Sequence, residues 1–253
     1  MARILAVHAH PDDIEWLAAG TLALLSRSGH QVAIVTATAG EGGSAAFGPE
    51  ETGRIRQAEA KDAAALIGAD YRCLGFPDLG VFNDDASRRR VTELLRELSP
   101  DVVITAAPVD YHPDHEAISL LVRDACFAAP VANYRTGSAA PLGAIPHLYF
   151  CDAAAGRDRE GRPHGRDFAV DVGDTFALRR EMLDRHVSQA DWVRKHHAVD
   201  DHLAAMEAWA RRVGRDFGVT YAEGFRQYRH DPYPRTPHLQ ALLGDRVLSP
   251  PAA

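Results

Sequence analysis

Apolar positions along the first hundred residues alternate between two rhythms. Residues 3–8 form a short unbroken apolar run, the pattern of a strand covered on both faces. Residues 14–28 then carry Ile14, Leu17, Ala18, Leu22 and Leu25 at helical spacing, closed by Gly29. The cycle repeats. A β-branched stretch over 31–38 predicts a second strand, and Gly- and Glu-rich residues 39–53 a loop. Ile55, Ala58, Ala65 and Leu66 predict a helix over 54–67, ended by Gly68. A third strand follows over 71–76, a turn-rich loop over 77–85, a third helix over 86–98 and a fourth strand over 102–107.

Strands alternating with helices favour a parallel sheet with right-handed crossovers, hence an α/β fold. In the usual doubly wound order 3-2-1-4, strands 1 and 4 are neighbours where the winding reverses, and ligands bind beyond their carboxyl ends. Farther along, the pattern predicts a helix over 116–128, a strand over 147–151, an exposed loop over 152–165 and an edge strand over 168–172. Residues 175–213 read as mostly helical, with a break near Val187 or Ala198. One domain is expected over 1–230, and a Pro-containing tail without periodicity over 231–253.

The loops after strands 1 and 4 carry the chemistry. The first is His8-Ala9-His10-Pro11-Asp12-Asp13, the second His112-Pro113-Asp114-His115. His10 and Asp13 stand three apart and can reach one ion. A catalytic zinc site takes about three protein ligands and keeps a position open, so His112 or His115 can supply the third. Such an ion lowers the pKa of bound water toward ~7. A carboxylate off the metal must then take the proton, and Asp12 is placed for it. The remaining imidazole of the second loop can stabilise an oxyanion or protonate a leaving amine, oriented by Asp114. One His-Pro-Asp alone is an ordinary turn, and Asp13 or Asp114 alone could cap a helix. Two such clusters on converging loops tip the balance toward a metal. His196 and His197 read as surface residues of a helix, and Trp192, Met206 and Trp209 as core.

Composition narrows the field. The chain has 253 residues, 46% of them hydrophobic, and a formal net charge of −7. The basic residues are scattered, which argues against nucleic acid as a partner. Cys73, Cys126 and Cys151 lack paired spacing and suit a reducing compartment. Without a spanning apolar run or a signal-like start, a cytoplasmic protein with no membrane partner is expected.

The segment Ala9-His10-Pro11-Asp12-Asp13-Ile14-Glu15, with His112-Pro113-Asp114-His115, resembles the PIG-L/LmbE-like family of metal-dependent de-N-acetylases. Weaker matches are Arg56-x-x-Glu59, Phe76-Pro77-Asp78, His186-x-Ser188-Gln189 and Tyr221-Ala222-Glu223-Gly224-Phe225, so the likeness spans roughly residues 3–228. It implies a Rossmann-like open sheet, mostly parallel, with helices on both faces. It implies zinc on His10, Asp13 and His115, with Asp12 as general base. It gives His112 the role of carbonyl polariser or acid, tuned by Asp114, and places Arg56 and Asp78 at sugar hydroxyls. Trp16-Leu17-Ala18-Ala19-Gly20-Thr21 departs from the family's Gly-rich turn, which implies different packing under the site. Tyr111 stands one residue before the second motif where some members place a tyrosine two before.

The expected activity is removal of an N-acetyl group from a small amino sugar or glycoside by metal-activated water. Two other readings stay open. One is an amidase acting on another N-acyl or thiol-conjugate substrate; the other is a Rossmann-like binding protein without catalysis. The latter lacks a Gly-x-Gly-x-x-Gly fingerprint after strand 1. Zinc and Fe2+ both accept two His and one carboxylate. A homo-oligomer, the sugar, the acyl group and the roles of His186, Ser188, Gln189, Glu223 and Tyr111 stay open.

Overall fold

The structure, a computed structural model, describes residues 1–153, 156–163, 165–196 and 201–250. Four parallel strands form its first half: β1 (Arg3–His8), β2 (Gln31–Thr38), β3 (Asp70–Phe76) and β4 (Val102–Thr105). They stand in the order β3-β2-β1-β4, and β5 (His147–Cys151) extends the sheet in parallel beside β4. The winding therefore reverses between β1 and β4, as the doubly wound order requires.

Alternate residues of each strand feed opposite layers, because side chains along a strand point to opposite faces. Ile4 and Ala6 of β1 pack with Leu22, Leu25, Ala63 and Ala64. Leu5 and Val7 pack on the other face with Val91, Leu95, Ile118 and Val122. The first layer is built by α1 (Asp13–Leu17), α2 (Ala19–Arg27) and α3 (Pro49–Ala65). The second is built by α4 (Asp85–Leu98) and α5 (Pro113–Ala128).

Several elements differ from expectation. The helix expected over 14–28 is two, broken at Ala18, whose φ of −145° is not helical. The second helix begins at Pro49 rather than residue 54, since proline suits the first helical position. The long helical stretch is α6 (Phe176–Asp184), α7 (Val187–His196) and α8 (His202–Phe217). One break falls next to Val187; Ala198, the other expected position, lies outside the described residues, as does His197.

The second half of the sheet is antiparallel. β7 (Ala222–Gln227) pairs with β5, and β6 (Phe168–Asp171) pairs with β7. β6 is not the edge, because β8 (Val247–Leu248) pairs along its free side. Residues 231–253, expected as a tail, contribute both β8 and α9 (His238–Leu243), and Leu239 is fully buried in the first layer. No described helix is long and apolar enough to cross a membrane.

Candidate active site

β1 ends on His8, and residues 9–12 turn the chain into α1. Asp13 closes that turn. Its Oδ2 accepts the His10 backbone N–H at 2.7 Å and lies 2.6 Å from His8 Nδ1. Asp12, at the sharpest point, has φ +97°, a left-handed conformation that non-glycine residues rarely hold. From β4, the second loop reaches α5 with His112 as its cap and Pro113 at the first turn.

The parallel order brings the two loops together. His10 Nδ1 lies 3.3 Å from Asp13 Oδ2, and His115 Nε2 lies 3.3 Å from Asp13 Oδ1. Asp13 thus meets the two imidazoles through different oxygens, each at roughly the 3.3 Å that separates ligands at ~2.0–2.1 Å in a tetrahedral shell. Among the described residues, the groups whose single donor atoms all lie within 4.8 Å of one another are His10, His112 and His115; His8, Asp13 and His115; and His10, Asp78 and Asp114, so the expected set of His10, Asp13 and His115 is divided among them. The donor set, imidazoles with carboxylate, is one a divalent metal accepts.

Burial and crowding set the charges. Burial pushes the Asp12 carboxyl up to about 7, and the neighbouring Asp13 adds to this. Among the described residues the Asp12 side chain makes no hydrogen bond. Burial also pushes Asp13 up, yet His115 and His8 outweigh it and hold that carboxyl well below its ordinary range. For His115 burial favours the neutral form, but Asp13 and Asp110 raise it to about 9. His10 is likewise raised against its burial by Asp114, Asp13 and Asp78. His112 goes the other way, lowered by burial and by His10. A metal-free site is therefore one in which protons on His10 and His115 stand where a cation fits.

Asp114, Asp78 and Arg56 each have partners within the protein. Asp114 orients His112 through its backbone, whose N–H donates to His112 Nδ1 at 3.2 Å. Its carboxylate faces away, accepting the Leu79 N–H at 2.8 Å and lying 3.3 Å from His10 Nε2. Asp78, expected at a sugar hydroxyl, lies 3.2 Å from His10 Nε2 and accepts the Gly42 N–H at 3.0 Å. Arg56, expected beside it, donates to the carbonyls of Gly40 and Gly43 and fastens that loop. Both are near the site; Arg56 Nε makes no hydrogen bond among the described residues.

Asp110, not among the expected site residues, has its Oδ1 3.3 Å from His115 Nδ1. The available signal was a carboxylate two residues before the second motif. The sequence alone leaves the roles of His186 and Glu223 undecided. His186 is buried with its Nε2 3.4 Å from Glu15 Oε1. Ser188 donates its N–H and its hydroxyl to Glu59. Glu223 is structural: its two oxygens accept the N–H groups of Gly20 and Thr21 at 2.8 Å each, and Oε1 lies 3.3 Å from Arg179 Nη1. This caps α2, whose preceding residue, Ala18, has no side-chain acceptor. Glycine is required at 20, where a Cβ would meet Val172 at 2.8 Å.

Similarity to known proteins points the same way as the geometry. A Bacillus cereus protein carrying the name "Probable N-acetyl-alpha-D-glucosaminyl L-malate deacetylase 2" is 35% identical over 197 residues, 74% of this chain and 84% of its own. The Pyrococcus horikoshii N,N'-diacetylchitobiose deacetylase structure superposes with a TM-score of 0.77 at 25% identity, covering 93% of this chain and 87% of the other. GalB, a 4-carboxy-2-hydroxymuconate hydratase from Pseudomonas putida, superposes with a TM-score of 0.72 over 93% of this chain and 98% of its own, at 22% identity. The architecture alone thus does not select a reaction, and the loops after β1 and β4 must. Those loops lie within residues 5–126, the span matched by the family model described as "PIG-L: GlcNAc-PI de-N-acetylase". With that match and a relative aligned along most of its own length, the chain belongs to the PIG-L family.

Proposed function

We propose that this protein is a zinc-dependent hydrolase that removes an N-acetyl group from a small amino sugar or glycoside. What supports the reading most is the division between Asp13, drawn into the imidazole cluster, and Asp12, buried beside it with no hydrogen bond of its own. His10, Asp13 and His115 would hold the metal, which supplies Lewis acidity for an amide carbonyl and lowers the pKa of water.

The chain's own groups carry the protons. Water adds to the acyl carbon while Asp12 takes its proton; a carboxyl near 7 suits a general base working near neutrality. His112 Nδ1 accepts the Asp114 N–H, so its proton sits on Nε2. Its lowered pKa keeps the ring neutral, which suits donation to an oxyanion better than full proton transfer. Asp12, now protonated, returns its proton to the nitrogen as the C–N bond breaks, leaving the free amine and acetic acid, which ionises to acetate as its proton passes to the amine or to water.

Acetate release from zinc-loaded protein and N-acetylglucosamine derivatives tests this, with Asp12→Asn as control. Release that vanishes in the variant while metal content holds is expected. Equal release from both proteins would remove Asp12 from the base role. Absence of release across the panel, with stoichiometric metal bound, would count against the amino-sugar class.

A further inference from the structure

The mouth of the site is apolar. Large hydrophobic side chains that remain exposed include Phe47, Leu79, Phe82, Tyr111 and Val187. Each stands on a segment that also supplies a polar group of the site. Phe47 follows the Gly40–Gly43 loop fastened by Arg56. Leu79 donates its N–H to Asp114, and Phe82 follows Val81, which lies against the same carboxylate. The Tyr111 ring lies 5.6 Å from that of His115. Val187 separates His186 from Ser188. Scattered exposed apolar residues are ordinary, but Leu79, Phe82 and Tyr111 stand on the loops that hold Asp114 and His115, which favours an apolar partner there.

Phe47 also walls a small cleft of about 70 Å3, together with Ile55 and Trp192, with Arg56 and Ser188 among its polar lining. Arg56 joins this cleft to the site: its guanidinium reaches Gly40 and Gly43, and its charge acts on Asp12. Asp78, 3.2 Å from His10 Nε2, accepts the Gly42 N–H, and Gly43 lines the cleft, so this loop connects the reacting groups to the cleft wall. An unsubstituted sugar would leave those apolar walls wet.

We infer that the substrate carries an apolar group, aromatic or aliphatic, on its sugar, and that this group lies in the cleft between Phe47, Ile55 and Trp192. The inference rests on the amidohydrolase reading and names its substrate class. The occupant is the substrate's own aglycone because the loop that lines the cleft at Gly43 and Phe47 also reaches His10, through Gly42 and Asp78.

The test pairs turnover with binding. kcat/KM is compared for the methyl, phenyl and octyl glycosides of N-acetylglucosamine. Calorimetry measures the same three ligands on zinc-loaded Asp12→Asn protein, where turnover does not interfere. Burying much of a phenyl ring is worth about a factor of ten or more. The phenyl and octyl glycosides should exceed the methyl glycoside by that factor in both measurements. In Trp192→Ala and Phe47→Ala the phenyl-to-methyl ratio should fall toward one. Equal values for the three glycosides in wild-type protein would overturn the apolar aglycone, even with acetate released from all of them. Tighter binding of the phenyl and octyl ligands without acetate release would uphold the cleft and overturn the hydrolase reading instead. A preference that survives both substitutions would move the apolar contact away from the cleft.

Discussion

The five-residue helix α1 is held at its two ends by opposite arrangements of buried charge. At its amino end stand Asp12 and Asp13, crowded by Asp78, Asp110, Asp114 and several imidazoles. At its carboxyl end Arg179 donates to the carbonyls of Glu15 and Trp16 and lies against Glu223, which also caps α2. The second cluster is matched in charge: one cation and one anion, with backbone groups taking Arg179 Nε and Nη2 and both oxygens of Glu223. The first is unmatched, with carboxylates outnumbering permanent cations and histidines protonated to compensate. Buried charge that lacks a partner is costly. Under the proposed function, the unmatched cluster is the one that a cation and a substrate would complete.

The comparison breaks most sharply under substitution at the two ends. Asp12→Asn should lower turnover by about 10²–10⁴-fold, the usual contribution of a general base, and leave the melting temperature at or above that of the parent. Arg179→Met should do the reverse. It strands buried Glu223 without its cation and should cost about 3–5 kcal/mol of stability, read by denaturant unfolding, with kcat of the folded fraction little changed. If Asp12→Asn proved the destabilising change and Arg179→Met the inactivating one, the roles assigned to the two ends would be exchanged.

Next in size is the pH dependence of metal affinity. His115 is raised to about 9 and His10 is raised as well, so below those values metal must displace their protons. Affinity should therefore rise with pH, about tenfold per unit for each proton released. His115 also contributes to stability of the metal-free protein below its unfolded-state pKa, a contribution lost as pH rises toward 9. Zinc titrations at pH 6, 7 and 8 check this; a flat affinity would mean the imidazoles are already neutral. The matched cluster at the other end of α1 offers no such dependence.

The same contrast explains what could be read in the chain. Apolar runs marked β1 to β4 because buried parallel strands are hydrophobic on both faces. Their order then brought His10 and His115 together. β7 was illegible as a strand since Glu223, Gly224, Arg226 and Gln227 break any apolar alternation; Glu223 is there to cap a helix some two hundred residues earlier. α9 and β8 are too short for periodicity to show, and their place is set by contacts such as the Tyr149 hydroxyl with Gln240. Within the site, residue types were legible and pairings were not. Nothing in His112-Pro113-Asp114-His115 tells which way the Asp114 carboxylate turns; the N–H groups of Leu79 and Val81, from the loop after β3, decide it.

The smallest expected effect concerns the backbone at Asp12. A left-handed conformation there costs about 1–3 kcal/mol for a residue with a Cβ. Glycine removes that strain and the buried carboxyl, while its greater unfolded-state freedom returns about 0.4–1 kcal/mol. Asp12→Gly should thus be inactive yet more stable, by about 1 kcal/mol or 2–4 °C in melting temperature for a chain of this size. The gap should depend on pH in a stated direction. Asp12 is an acid whose pKa rises on folding to about 7, so the parent loses stability as pH climbs from about 4 to 7. The variant has no such loss, and its advantage should be larger at pH 8 than at pH 5 in metal-free protein. Zinc should narrow the gap, because a cation beside Asp12 favours the ionised form. A variant that melts below the parent at both pH values would show that the turn is not strained, and that α1 is held by the same matched logic at both ends.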